Sequence, residues 1–273
     1  MMYLTRHLTS NGVRWALDGK FLPSRFHLGQ VLSLPASQLQ DALLAIVTDV
    51  SAEGALLAPI ENDQEVWASG VTFLRSREAR MEESDTADVY ERVYDAERVE
   101  VFSKAIGWRV RGPNDEIRVR ADSEWDVPEP ELTLVLNREG TIVGYCVGND
   151  VSSRAIEGEN PLYLPQAKVF DGSCALGPGI VLAAPDEQRA LAITLRIQRD
   201  GETVFDGLTN TNQLKRSLEE IAGWLTKELA FPDGVFLMTG TGVVPPDDFT
   251  LSPGDVVRIT VGNLSLENRV ADK

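Results

Sequence analysis

Three carboxylates close together in the chain have the residue types and spacing to do chemistry. Glu129 and Glu131 stand two residues apart in VPEPELTLVLN, and Asp150 ends the following TIVGYCVGND. Alternate residues of a strand share a face. The two glutamates therefore enter one space, while Leu132, Leu134 and Leu136 point the other way. The tetrapeptide Asn137-Arg138-Glu139-Gly140 reads as a hairpin loop. With that loop Leu136 opposes Thr141 and Glu129 opposes Gly148. Asp150 then lies one diagonal step from Glu129, about 7–8 Å away at the backbone. Three carboxylates without histidine or thiolate form a hard oxygen site, better suited to Mg²⁺, Mn²⁺ or Ca²⁺ than to Zn²⁺. Without a cation they would repel one another and raise their own pKa values. A Glu-x-Glu pair alone is equally what a solubilising strand end would show. The register that adds Asp150 makes the case for a cation.

Lys168 lies in VSSRAIEGENPLYLPQAKVFDGSCALGPGI, a stretch crowded with Gly, Pro and small residues. Such stretches often line pockets, where a lysine neutralises a carboxylate or moves a proton. A solvated loop lysine is the plainer alternative, and the turn residues fit that too. The net charge is −16 and the pI about 4.6. That balance disfavours a nucleic-acid partner and would repel an anionic substrate unless the site carries local positive charge. No run of about 18 apolar residues marks a membrane span. The start, MMYLTRHLTSNGVRW, turns polar too soon for a signal peptide. Cys146 and Cys174 read as reduced core thiols of a cytoplasmic protein. His7 and His27, the only histidines, have no partners at metal-ligand spacing and read as structural.

The elements that must position these groups follow from periodicity. Residues 1 to about 65 combine a strand (VRWALDG), a turn and a helix near SQLQDALLAIVTDV with a serine start. From Glu82 to about Ala105 the spacing of Tyr90, Val93, Tyr94, Val101 and Phe102 predicts a charged helix. Beyond Ile117, the segments VPEPELTLVLN, TIVGYCVGN, GIVLAA, LAITLRIQ, VFLMTGTG and DVVRITVG predict strands. One helix interrupts them, TNQLKRSLEEIAGWLTKEL, with Leu214, Leu218, Ile221 and Leu225 in register. The expectation is an α+β protein: a small N-terminal α/β domain, 1–65, before a β-rich catalytic domain, 66–273.

Four segments, PEPEL, GNDVSSR, GENPLYLPQAKVFDGSCALGP and TGTGVVPPDDFTLSPGDVV, resemble in that order the fumarylacetoacetate hydrolase family. The likeness runs from about Val66 to the C-terminus. It implies a mixed β-roll catalytic domain, usually dimeric or tetrameric. It matches the family's metal-binding glutamates to Glu129 and Glu131, its metal-binding aspartate in N-D-x-S-x-R to Asp150, and its active-site lysine to Lys168. In the subgroup that dehydrates 2-keto-3-deoxy sugar acids, a catalytic glutamate matches Glu100 in ERVEVFSKA. The threonine of a late G-T motif matches Thr241, toward the substrate carboxylate. Two departures stand out. Ala155 replaces a frequent Asp after the S-x-R triplet. Ser76 and Ala79 stand where the family's hydrolases carry a water-activating His and Glu.

The resemblance and the carboxylates together imply a small 2-oxo acid chelated by Mg²⁺ (or Mn²⁺, or Ca²⁺), which would stabilise an enolate formed at C3. In a 2-keto-3-deoxy pentonate-like acid that enolate can expel the C4 hydroxyl. Glu100 and Lys168 are the expected acid–base pair, in either order. Arg80, Arg92 and Arg154 are candidates for substrate contacts, although surface salt bridges would explain each as well. The alternatives are a hydrolase, decarboxylase or isomerase of acylpyruvate- or oxaloacetate-type acids, and a non-catalytic binding protein. Retention of the carboxylates and Lys168 argues against the last.

Overall fold

The structure is a computed structural model and describes residues 2–75 and 92–272. In chain order the strands begin with β1 (Met2–Thr9), β2 (Gly12–Leu17), β3 (Lys20–Phe21), β4 (Ala55–Leu57), β5 (Glu65–Ser69) and β6 (Val101–Ile106). Next come β7 (Glu116–Ile117), β8 (Asp126–Val127), β9 (Pro130–Leu136), β10 (Ile142–Asp150), β11 (Ser152–Ser153) and β12 (Cys174–Leu182). The last are β13 (Ala192–Arg199), β14 (Glu202–Asn210), β15 (Val235–Met238), β16 (Val256–Val261) and β17 (Leu264–Val270). The helices are α1 (Leu28–Leu32), α2 (Ala36–Ile46), α3 (Arg154–Glu159), α4 (Leu164–Lys168) and α5 (Leu218–Thr226).

Among the described residues the larger sheet runs β3-β2-β1-β12-β10-β9-β15-β5-β6, with β4 against β1. Only β15 and β5 are parallel in it. A second sheet runs β14-β13-β16-β17-β7. Leu132, Leu134 and Leu136 of β9 face this second sheet and share a core with Leu195 and Ile259. Val135 and Cys146, on the opposite face, pack with Leu32, Leu39 and Leu43 of α1 and α2. The fold is α+β, mixed sheets with few helices. The first 65 residues join the larger sheet directly, because Met2–Leu4 pair with Ile180–Leu182 of β12. Cys146 and Cys174 are buried and free, and burial holds both thiols far above their ordinary range. Among the described residues no helix is long and apolar enough to cross a membrane.

The structure corrects the expected elements in three places. Val101–Ile106 is strand β6, paired with β5, and not the end of a helix. The apolar spacing in that segment serves a ladder whose partner lies 36 residues upstream (Trp67↔Ser103), and such pairing overrides local periodicity. The late helix begins at Leu218, where the Ser217 hydroxyl caps it by accepting from the Glu220 N–H at 3.1 Å. Leu214 lies before it and bridges to Phe73. Pro35, with no capping side chain, starts α2 in place of a serine.

Candidate active site

The β9–β10 hairpin places the three carboxylates, in a register that differs from simple counting. Leu136 opposes Ile142, so the loop has five residues, 137–141. The Asn137 side-chain oxygen closes it by accepting from the N–H groups of Glu139 and Thr141. A bulge at Val143 adds a second slip. Two one-residue shifts restore the parity, so the glutamates keep the expected face. The partners change: Glu131 opposes Gly148, and Asp150 N–H donates to the Glu129 carbonyl at 3.0 Å. Asp150 therefore stands directly across from Glu129, closer than the diagonal expected. One oxygen from each of Glu129, Glu131 and Asp150 lies within 4.8 Å of the others. All three residues are buried, at 4%, 1% and 1% exposure.

The positive groups close around them. Lys168 ends α4 and points its ammonium at Glu129 Oε2 (2.8 Å), Asp150 Oδ2 (3.2 Å) and Ser152 Oγ (2.6 Å). Arg154, at the start of α3, donates from Nη2 to Glu129 Oε1 at 3.0 Å. Lys104 is fully buried. Its ammonium lies 2.5 Å from Asp150 Oδ1 and donates to the Val151 carbonyl at 3.0 Å. It also donates to the carbonyl of Lys168. Lys104 therefore ties Asp150 to the backbone of Lys168. Glu131 is held differently: its Oε2 accepts from the Gly240 N–H at 2.6 Å. Gly240 has φ +86, and a Cβ there would sit 2.1 Å from Thr72 Oγ1, so the turn accepts only glycine. Burial, then the charges of Asp150 and Glu129, push the Glu131 carboxyl well above its ordinary range; Lys168 and the Gly240 N–H pull the other way.

Glu129, Glu131, Asp150 and Lys168 line a tight cavity of about 10 Å³, together with Glu100, Phe102, Glu157 and Thr241. Glu100 precedes β6 and is half-buried. Its carboxylate occupies the space a side chain on Gly70 would take, since a Cβ there would lie 2.1 Å from Glu100 Oε2. Thr241 Oγ1 donates to the Val243 carbonyl at 3.2 Å. Arg154 pairs with Glu129 and is not among the lining residues, and Arg92 is exposed. Arg80, Ser76 and Ala79 lie outside the described residues. The histidines are structural: His7 bonds Thr5 Oγ1 at 2.8 Å, and His27 caps α1 by accepting from the Gly29 N–H.

Sequence reasoning missed Lys104 and Glu157. The signal for Lys104 was a lone charge in VFSKAI, visible only if the segment is read as a strand. For Glu157 it was the three-residue spacing from Arg154 behind a serine cap.

The donor set fits a divalent cation. Oxygen ligands about 2.1 Å from Mg²⁺ lie about 3.0–4.2 Å apart, so the three oxygens, within 4.8 Å of one another, would draw together to share one ion. Among the described residues, five carboxylates line the cavity, Glu100, Glu129, Glu131, Asp150 and Glu157. Lys104, Lys168 and Arg154 pair with Asp150 and Glu129 among them.

The model of the fumarylacetoacetate hydrolase C-terminal region matches residues 78–271. The chain belongs to the fumarylacetoacetate hydrolase family. It is 47% identical over 239 residues to a probable 2-keto-3-deoxyxylonate dehydratase of Haloferax volcanii, covering 87% of this chain and 81% of the relative. It is 46% identical over 207 residues to a 2-dehydro-3-deoxy-D-arabinonate dehydratase of Saccharolobus solfataricus, covering 73% and 69%. A solved structure of 2-keto-3-deoxy-D-arabinonate dehydratase complexed with magnesium and 2,5-dioxopentanoate matches with TM-score 0.84 at 35% identity, over 100% of this chain and 99% of that one. The resemblance drawn from motif order holds.

Proposed function

We propose that this family member is a Mg²⁺-dependent dehydratase of a 2-keto-3-deoxy pentonate-like sugar acid. The observation that carries the reading is one buried cavity where three carboxylates within 4.8 Å meet an ammonium 2.8 Å from one of them. A dication held by Glu129, Glu131 and Asp150 supplies Lewis-acid withdrawal from the 2-oxo group, which acidifies C3; Mn²⁺ and Ca²⁺ suit the same oxygens. Lys168, in contact with two of those carboxylates, is placed to exchange a proton with C3, one bond from the 2-oxo carbon. That leaves Glu100 to protonate the departing C4 hydroxyl. Thr241 offers its hydroxyl to the substrate carboxylate. A 2-keto-3-deoxy acid made from arabinonate or xylonate keeps C4 as its only stereocentre, so within the D series both names describe one compound. We take the working assembly to be a homodimer or homotetramer, as the family resemblance implies.

Hydrolysis ranks second because it needs an activated water, which near neutral pH usually means a histidine base. The chain has two histidines, and neither lines the cavity. The test is a panel of 2-keto-3-deoxypentonates, acylpyruvates and oxaloacetate under identical Mg²⁺ conditions. Turnover of the deoxy acids is expected. Acylpyruvate cleavage with the deoxy acids untouched would overturn the reading.

A further inference from the structure

Loss of the C3 proton and the C4 hydroxyl does not by itself yield the 2-oxo aldehyde acid that accompanies magnesium in the solved relative. Removing a C3 proton and the C4 hydroxyl from HOOC–CO–CH₂–CHOH–CH₂OH gives the conjugated enone HOOC–CO–CH=CH–CH₂OH. Reaching 2,5-dioxopentanoate, HOOC–CO–CH₂–CH₂–CHO, needs no further atoms, but it needs hydrogen moved from C5 to the C3–C4 unit. Lys168 and Glu100 are already engaged in the first half of the reaction.

We propose that Glu157 is a catalytic base for this second, isomerising half; the inference rests on the dehydratase reading. Glu157 lines the same cavity as Lys168 and Glu100 and is only 4% exposed. Ser153 caps α3 by accepting from the Ile156 N–H at 3.2 Å, which fixes the turn carrying both Arg154 and Glu157. Residues three apart on a helix share a face. Arg154 on that face reaches Glu129, so Glu157 is turned toward the same chemistry. In the step, the Glu157 carboxylate takes one C5 hydrogen as a proton. The C5–H electron pair becomes C4=C5, the C3=C4 pair moves to C2=C3, and the carbonyl pair moves onto the C2 oxygen. Returning a proton to C3 restores the 2-oxo group and leaves a C4=C5 enol. The enol becomes the aldehyde when C4 gains a proton and the C5 hydroxyl loses one. No oxidant or co-reactant is needed.

The experiment follows three signals with wild type and Glu157→Gln in Mg²⁺: substrate loss, the ultraviolet absorbance of the enone, and 2,5-dioxopentanoate. Failure of wild type to make 2,5-dioxopentanoate would count against the dehydratase reading itself. Given that product, the variant is expected to accumulate enone in proportion to the substrate it consumes, and to form product at least tenfold more slowly. C5-dideuterated substrate should slow product formation and leave water loss unchanged. Supplying the enone directly bypasses the first half: wild type should convert it faster than buffer, and Glu157→Gln should not. Conversion of enone by the variant at the wild-type rate would overturn the proposal. So would conversion in buffer as fast as with wild type. A variant that has lost substrate consumption with a wild-type melting temperature and Mg²⁺ affinity would overturn it too, by moving Glu157 into the first half. Should the Gln variant fold poorly, Glu157→Met, which also removes the carboxylate, serves, with the same enone assay deciding.

Discussion

Glu129, Glu131 and Asp150 sit on or beside β9 and β10, two central strands of the larger sheet, whereas Glu100 precedes β6, at its edge. The carboxylates are fixed by ladder pairing, a backbone N–H and three buried cations. Glu100 is half-buried, with its main chain held by the Ser69 hydroxyl at 3.0 Å and its carboxylate fitted over Gly70. Beside it, Val71 has φ +52, a left-handed conformation that costs a β-branched residue about 1–3 kcal/mol. The rigid half suits a site that must hold repelling charges at fixed spacing. The edge half suits a group that must meet a substrate entering and leaving.

Breaking the proton-transfer roles should give the largest effect. Lys168→Ala is expected to lower kcat about 10³-fold, and Glu100→Gln about 10²-fold, with KM changed far less. Steady-state kinetics check this, and near-wild-type kcat in both would remove these residues from the mechanism. Lys104→Met tests the rigid half without touching the cavity. It strips a cation from the buried Asp150 carboxylate, a loss of about 3–5 kcal/mol in the metal-free chain. Chemical denaturation should show most of that loss recovered by saturating Mg²⁺. An unchanged denaturation midpoint would mean that Lys104 does not hold Asp150.

Gly70→Ala sharpens the contrast. Its new methyl displaces the Glu100 carboxylate and nothing in the metal triad. About tenfold lower kcat with unaltered Mg²⁺ affinity by calorimetry is the expected split; a fall in both would mean the halves are mechanically coupled. The smallest effect is the pH dependence of metal binding. The Glu131 carboxyl is raised, chiefly by burial, and a cation binds only its ionised form. Affinity should therefore fall as pH drops below the raised value, by about tenfold per unit, with a proton released on binding. The metal-free fold changes the other way. A raised native value stabilises while the group stays protonated and loses that contribution as pH rises, so the Mg²⁺-induced rise in Tm should grow with pH. Calorimetry in two buffers of different ionisation enthalpy counts the proton, and a pH-independent affinity would contradict the assignment.

The two halves also differ in how far the sequence reveals them. Glu-x-Glu with leucines on the opposite face is a local strand pattern, so the carboxylate face was legible from spacing alone. The register was not: a bulge leaves no mark in residue type, and the two slips cancelled in parity. The edge half depends on pairing between β5 and β6 across a long separation. Its apolar spacing also satisfies a helix, so Lys104 was hidden and Glu100 rested on family likeness. Glu157 needed the α3 cap to be seen before its face could be known.

The central claim, that the buried carboxylate triad holds a divalent cation on which dehydration depends, is tested most directly by one titration. Initial rates of 2,5-dioxopentanoate formation are measured against added Mg²⁺ with chelator-stripped wild type and Glu131→Gln. The account predicts no turnover in chelator, saturation at the Kd found by calorimetry, and both values shifted together by about 10²-fold or more in the variant. Undiminished turnover in chelator, or a variant that saturates like wild type, would contradict it.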